Sequence, residues 1–154
     1  MSSRARDRGR TEVCGNREAE AKLRRAEQFM EVARLIKDEP DPDWASAAAA
    51  LAVLAGIAAS DAACCKALGR RSRGQDHHDA EALLEQIEPG GKSGANAMRR
   101  LINLKDEAHY GFYYMATQDL KSAFTQAERL IRFARGVLAA SSRAATFSRP
   151  SGAA

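Results

Sequence analysis

Two segments of the sequence combine basic side chains with histidines, residue types that bind phosphate groups and transfer protons. In the first segment, RRSRGQDHHDA, three arginines precede two histidines at a predicted helix start; these residues are Arg70, Arg71, Arg73, His77 and His78. Guanidinium groups beside the amides of a helix N-terminus can hold a phosphate of RNA or of a nucleotide. The alternative is a solvated loop whose positive charges only favour the end of the preceding helix.

The second segment, LKDEAHYGFYY, contains Lys105, His109 and Tyr110 at the predicted end of a helix. A spacing of four residues places Lys105 and His109 on one helical face, where the pair could bind or polarise a phosphate. The alternative is an aromatic lid that closes one end of the fold while the tyrosine hydroxyls stay in water. The sequence therefore offers two candidate binding segments, each with a purely structural explanation. We expect the two segments to form one shared end of the fold.

Neither segment predicts a metal site or a catalytic group. His77 and His78 are adjacent, so on a helix their side chains diverge by about 100°, and no HxxxH pair accompanies them. The sequence contains no HExxH, CxxC or GxSxG motif and no Gly-rich phosphate loop. We therefore predict no catalytic residue, no metal and no cofactor.

The candidate segments must be positioned by an alanine-rich stretch, Trp44 to Gly69, whose only charged residues are Asp61 and Lys66. A helix of this composition has no charged face that could be exposed to water. The stretch therefore predicts a central helix surrounded by other helices. Its uncharged part is mostly alanine and shorter than the ~20 apolar residues of a membrane span, which favours a core helix. Gly56 costs about 1 kcal/mol relative to alanine in a helix, so we expect another helix to cross closely there.

Apolar residues at helical spacing predict four further helices around this centre. The first is expected from Asn16 to Lys37, and the second, a short helix, from an Asp76 cap to Pro89. The third begins at a Ser93 cap and ends at the aromatic segment HYGFYYMATQD, where we expect the helix to break. The last runs from a Thr117 cap to Ala140. The predicted fold class is all-α, an up-and-down helical bundle of four main helices plus a short one. Residues 1–15 and 141–154 lack such periodicity and are expected to be disordered tails, with the bundle at 16–140.

The net charge of +4 is concentrated near the chain ends. Residues 1–17 contribute +3 and the last fifteen residues +2, so the part between carries −1 and gives only a weak signal for nucleic acid. The three cysteines, Cys14, Cys64 and Cys65, are an odd number, and adjacent cysteines on a helix suit no usual bridge. We therefore expect a reducing cytoplasm, with Cys64 or Cys65 as a small buried residue, and neither a signal peptide nor a membrane anchor.

The order of these features resembles the HEPN superfamily over residues 18–139. The resemblance is carried by the small-residue central helix before a basic loop, by H-H-D-A-x-x-L-L from His77, and by L-K-D-E-A-H-Y-G-F from Leu104. HEPN ribonucleases carry an arginine and a histidine separated by four to six residues. Arg71 and His77 match this spacing, but across a loop that contains Gly74, and Lys105 and His109 are too close together.

The resemblance implies a protein that binds RNA, a nucleotide or a partner protein without catalysis, in a toxin–antitoxin or stress-response setting. It further implies a homodimer and a nucleotidyltransferase-type partner protein. A metal-independent HEPN ribonuclease and a helical bundle that serves only protein interaction are the two alternatives.

Overall fold

A computed structural model describes residues 11–73, 77–110 and 117–147, without the side chains of 106–110 and 141–147. The described part is mostly helical, which confirms the predicted all-α class in its coarse form. Its elements are β1 (Thr11–Val13), α1 (Asn16–Ile36), α2 (Pro42–Leu68), β2 (Arg70–Ser72), α3 (His78–Glu85), α4 (Gly91–Tyr110) and α5 (Thr117–Phe147).

The alanine-rich helix α2 begins and ends where its capping residues require. The Asp41 carboxylate accepts a hydrogen bond of 2.9 Å from the amide of Asp43, and Pro42 occupies the first turn. At the other end Gly69 adopts a left-handed conformation with φ of 69°, and its N–H donates to the carbonyl of Cys65. Both predicted boundaries of the central helix are confirmed.

Helix α2 forms the centre of the hydrophobic core, but one face of its first half remains open to solvent. Helices α1, α4 and α5 all pack against it. Trp44 and Leu54 are each 46% exposed, and Ala47 and Ala50 are exposed beside them. The expectation that other helices surround this segment completely is therefore wrong within the described residues, because its small side chains leave one apolar stripe uncovered.

The close crossing predicted at Gly56 is confirmed. A Cβ atom added to Gly56 would overlap Cδ2 of Leu101 on α4 and would lie 3.2 Å from Cδ1 of Leu130 on α5. Both leucines are completely buried. The missing side chain thus allows three helices to meet at one point.

Ion pairs and cavities fix the directions of the outer helices. Arg34 and Glu27 of α1 pair with Glu128 and Arg135 of α5, at 3.3 and 2.7 Å respectively, so these two helices run antiparallel. Ala67 near the end of α2 and Pro89 just before α4 line one cavity. Gly56, which precedes Ala67 on α2, meets Leu101, which follows Pro89 along the chain. Helices α2 and α4 therefore also run antiparallel.

The N-terminal segment differs from the expected tail. Residues Thr11–Val13 pair antiparallel with Arg70–Ser72, with Glu12 opposite Arg71. A disulfide joins Cys14 to Cys65, with 5.2 Å between their Cα atoms, and only Cys64 is a free buried thiol. The interpretation of the cysteines as unbridged is wrong for Cys14 and Cys65, because the partner of Cys65 comes from a distant segment and not from its neighbour.

The other helix boundaries depart by small amounts from those predicted. Helix α3 ends at Glu85, before Pro89, and α4 begins at Gly91, before the expected Ser93 cap. Helix α5 continues past Ala140 to Phe147, because the alanines of that stretch favour helix although it lacks apolar periodicity. Asp76 and residues 111–116 of the predicted break lie outside the described residues.

Candidate functional site

The two candidate segments meet at His77 and Lys105. The Nζ atom of Lys105 lies 3.3 Å from Nε2 of His77, although the residues are 28 positions apart. An ammonium group can only donate, so this contact is a hydrogen bond in the tautomer whose Nε2 accepts. Both residues are only partly buried, so this contact is accessible from solvent.

Arg71 has a different environment, at a buried carboxylate. Its guanidinium lies 3.2 Å from Asp61 Oδ2 and 3.1 Å from Glu12 Oε2. Lys22 reaches the same oxygen of Asp61 at 3.4 Å. Burial raises the pKa of the Asp61 carboxyl above its usual value, and the positive charges of Lys22 and Arg71 oppose that rise. Arg71 therefore compensates a charge inside the fold, and its guanidinium is already engaged.

The remaining residues of the first segment point in several directions. Arg70 donates to the side-chain oxygen of Gln86 at 3.3 Å, while Arg73 is exposed. His78 is also exposed, with Nδ1 3.6 Å from Glu81 Oε1. Glu81 is buried and pairs with Arg99 at 3.3 Å. His78 thus lies beside an ion pair that connects α3 to α4.

His109 and Tyr110 belong to the last turn of α4, and the orientation of their side chains lies outside the description. Leu101 faces Gly56 where α4 crosses α2. Asp61 lies five residues beyond Gly56 on α2, and Tyr110 lies nine residues beyond Leu101 on α4. Because the two helices are antiparallel, these two displacements from the crossing are in opposite directions. At 1.5 Å per residue, the backbone of Tyr110 lies about 21 Å from the level of the Asp61–Arg71 pair along the fold. The structure thus brings His77 to Lys105 but does not bring Arg71 to Tyr110.

The sequence interpretation missed the cluster around Asp61. A single aspartate within an otherwise uncharged stretch of α2 was the available signal, because a buried carboxylate needs a cation nearby. The pairing with Arg71 and Glu12 could not be derived, since it depends on the register of two three-residue strands. The disulfide depends on the same register.

No reactive thiol or metal cluster accompanies these groups. Burial, together with the neighbouring charge of Asp61, raises the pKa of the Cys64 thiol to about 12, so this sulfur is not a nucleophile near neutral pH. The described residues include no group of three histidine, cysteine or acidic side chains that could hold a metal ion.

Helix α2 is the one helix among the described residues that is long and apolar enough to cross a membrane. However, 78% of its most apolar window is buried inside the fold. That burial agrees with the predicted core helix.

Models of protein families, curated proteins and solved structures were each compared with this chain, and none of them matches. The functional argument therefore depends on the geometry and on the sequence pattern.

Proposed function

We propose that this chain is a HEPN-like, non-catalytic protein, an up-and-down bundle of four main helices and a short one, that binds a phosphate of RNA or of a nucleotide. The binding surface in this proposal consists of Arg73, His77 and Lys105, and we call it the His77–Lys105 surface. The single observation that supports it is the 3.3 Å contact between Lys105 Nζ and His77 Nε2, which joins the two candidate segments.

This surface has the donors that a phosphate oxygen requires. The Lys105 ammonium carries three N–H donors, of which the imidazole accepts one, and among the described residues the others have no acceptor and are available to a ligand. The exposed guanidinium of Arg73 belongs to the same loop as His77 and adds a second positive charge. Charge-assisted hydrogen bonds to phosphate are about twice as strong as neutral ones, which favours a phosphate over a neutral ligand at this surface.

The environment of Arg71 favours binding over catalysis. An HEPN-type ribonuclease needs an arginine and a histidine directed at one phosphate, and Arg71 has the required spacing from His77. Its guanidinium instead contacts Asp61 and Glu12. His109 and Tyr110 remain in the proposal only through the resemblance, as does the nucleotidyltransferase-type partner. The cytoplasmic setting depends on the expectation of unbridged cysteines, and the Cys14–Cys65 disulfide removes that ground.

RNA binding by a Lys105→Gln variant tests this function. We expect weaker binding of a single-stranded RNA and a salt dependence whose slope is smaller by about one unit, because one phosphate contact is lost. Arg100→Ala is the matched control, because it removes one exposed charge from the same helix outside the proposed surface. Equal affinities and equal salt slopes for the two variants would refute the proposed surface.

A second candidate function, protein interaction, is favoured by the exposed stripe on α2, which consists of Trp44, Ala47, Ala50 and Leu54. Small side chains without charge allow the same helix of a second copy to approach closely, so we propose a homodimer through this stripe. Leu54→Glu should give a monomer in sedimentation, because its carboxylate would be buried within the interface without a partner. Val13→Glu alters a side chain that is 89% exposed on β1 and serves as the control. A wild-type chain that stays monomeric at high concentration would exclude this dimer.

A further inference from the structure

An open cavity between helices α4 and α5 contains two arginines that none of the functions above uses. The cavity has a volume of about 380 Å³ and is lined by Gly90, Ser93, Gly94, Arg129, Arg132 and Phe133. Arg129 and Arg132 are three positions apart on α5 and both are exposed. Residues at that spacing are neighbours on one helical face, so both guanidinium groups can reach the same ligand.

The charge in this cavity is uncompensated among the described residues. Its lining includes no carboxylate, and neither arginine has an ion-pair partner in the described part of the chain. Arg135, on the same helix, pairs with Glu27 at 2.7 Å, and Arg34 of α1 pairs with Glu128 at 3.3 Å. Arg132 also lines that groove, together with Glu27 and Glu128, but it forms an ion pair with neither carboxylate among the described residues. Two arginine charges therefore remain unpaired at this cavity.

Glycines keep the cavity open beside the ring of Phe133. A Cβ atom at Gly94 would lie 3.3 Å from Cδ1 and Cε1 of that ring, and one at Gly90 would lie 3.3 Å from Cε2. These distances are tighter than ordinary contacts, so any larger residue would crowd the ring or fill the space above it. Ser93 also lines the cavity, and its hydroxyl is a further hydrogen-bond donor.

We propose that this cavity binds a terminal phosphate group, the dianion of a phosphomonoester. Two guanidinium groups match its two negative charges, and the planar donors of arginine match its oxygens. A phosphodiester carries one negative charge and would leave one arginine uncompensated. Gly94 and Lys105 are eleven residues apart on α4, about 17 Å, so this site is separate from the His77–Lys105 surface.

Titration calorimetry at pH 8 with glycerol phosphate, a phosphomonoester whose second pKa is about 6, tests the charge requirement. An Arg129→Ala, Arg132→Ala double variant should bind glycerol phosphate at least tenfold more weakly, because it loses two charge-assisted contacts. The matched control is Arg24→Ala, Arg25→Ala, which removes the same charge from two exposed positions on α1. Equal losses in the two double variants would mean that only net charge matters, and would overturn the site.

Two further measurements define the ligand and the location. An RNA oligonucleotide with a 5′-phosphate should bind the wild type at least tenfold more tightly than the same oligonucleotide with a 5′-hydroxyl, and equal binding would overturn the phosphomonoester assignment. Gly94→Ala should weaken glycerol phosphate binding while both arginines stay in place, and unchanged binding would contradict the proposed location. Lys105→Gln should leave glycerol phosphate binding intact, which separates this site from the proposed function.

Discussion

Alanine at Gly56 and alanine at Gly136 should have opposite effects on stability, although both substitutions add one methyl group to a helix interior. Around Gly136 the described residues place no atom within 4 Å of an added Cβ, apart from its chain neighbours and the backbone of its own helix. Gly136→Ala should therefore raise the free energy of unfolding by about 1 kcal/mol, the ordinary difference in helix propensity. Gly56→Ala gains the same amount but overlaps Leu101, and neither Leu101 nor Leu130 can turn towards solvent because both are completely buried.

Overpacking of a filled core costs about 1–3 kcal/mol, and the collision at Gly56 belongs at the upper end of that range. After subtraction of the helical gain, Gly56→Ala should lower the free energy of unfolding by ~1–2 kcal/mol. The two variants should thus differ by ~2–3 kcal/mol in urea denaturation followed by circular dichroism.

A double-mutant cycle locates the cause of the effect. In a Leu101→Ala background, which is itself destabilised by ~2–5 kcal/mol, Gly56→Ala should no longer destabilise, because the colliding side chain has been removed. The reasoning about the helix crossing would be refuted if Gly56→Ala stabilised the wild type as much as Gly136→Ala does.

Three further outcomes are expected from the cluster around the disulfide. Reduction should lower the free energy of unfolding by ~4 kcal/mol, the chain-entropy value for a bridge across 51 residues, and a Cys14→Ala, Cys65→Ala variant should not respond to the reductant. The pKa of Asp61 is raised above 3.8 in the folded state, so the folded state binds this proton more tightly than the unfolded chain does. The stability that this proton contributes should therefore fall as pH rises from about 4 through the folded pKa. Asp61→Asn should lack this pH-dependent loss of stability in denaturant titrations at pH 4 to 7. The Cys64 thiol should react with a thiol reagent at pH 8 only as fast as the protein unfolds, and rapid labelling of the native protein would contradict its burial.

Local chemistry in the sequence is sufficient to predict the helices. Asp41, Pro42 and Gly69 are capping signals that act within a few residues, and the structure places the ends of α2 at them. The close helix crossing at Gly56 could also be predicted locally, because a glycine inside a helix by itself indicates the close approach of another helix. Boundaries were less accurate where alanine extends a helix without apolar periodicity, as it does before Phe147.

The contacts among distant residues could not be predicted, because each depends on how elements are placed relative to one another. Arg71 looked like a free cation in a loop, yet it compensates the buried charge of Asp61. Nothing in the sequence singles out Arg129 and Arg132 of α5, and only the structure shows that residues at the start of α4 line a cavity with them. Only the meeting of His77 and Lys105 followed from the expectation that the two segments lie together.

The Cys14–Cys65 bond closes the chain around α1 and most of α2, so these two helices belong to one covalent ring. The connection between the helices, from Asp38 to Asp41, is exposed and is a natural position for a protease to cut. A single cut there opens the ring without releasing either piece, since the bridge still joins them. The nicked protein would migrate as one band without reductant and as two bands with it, and helix α1 would stay beside the core that it covers.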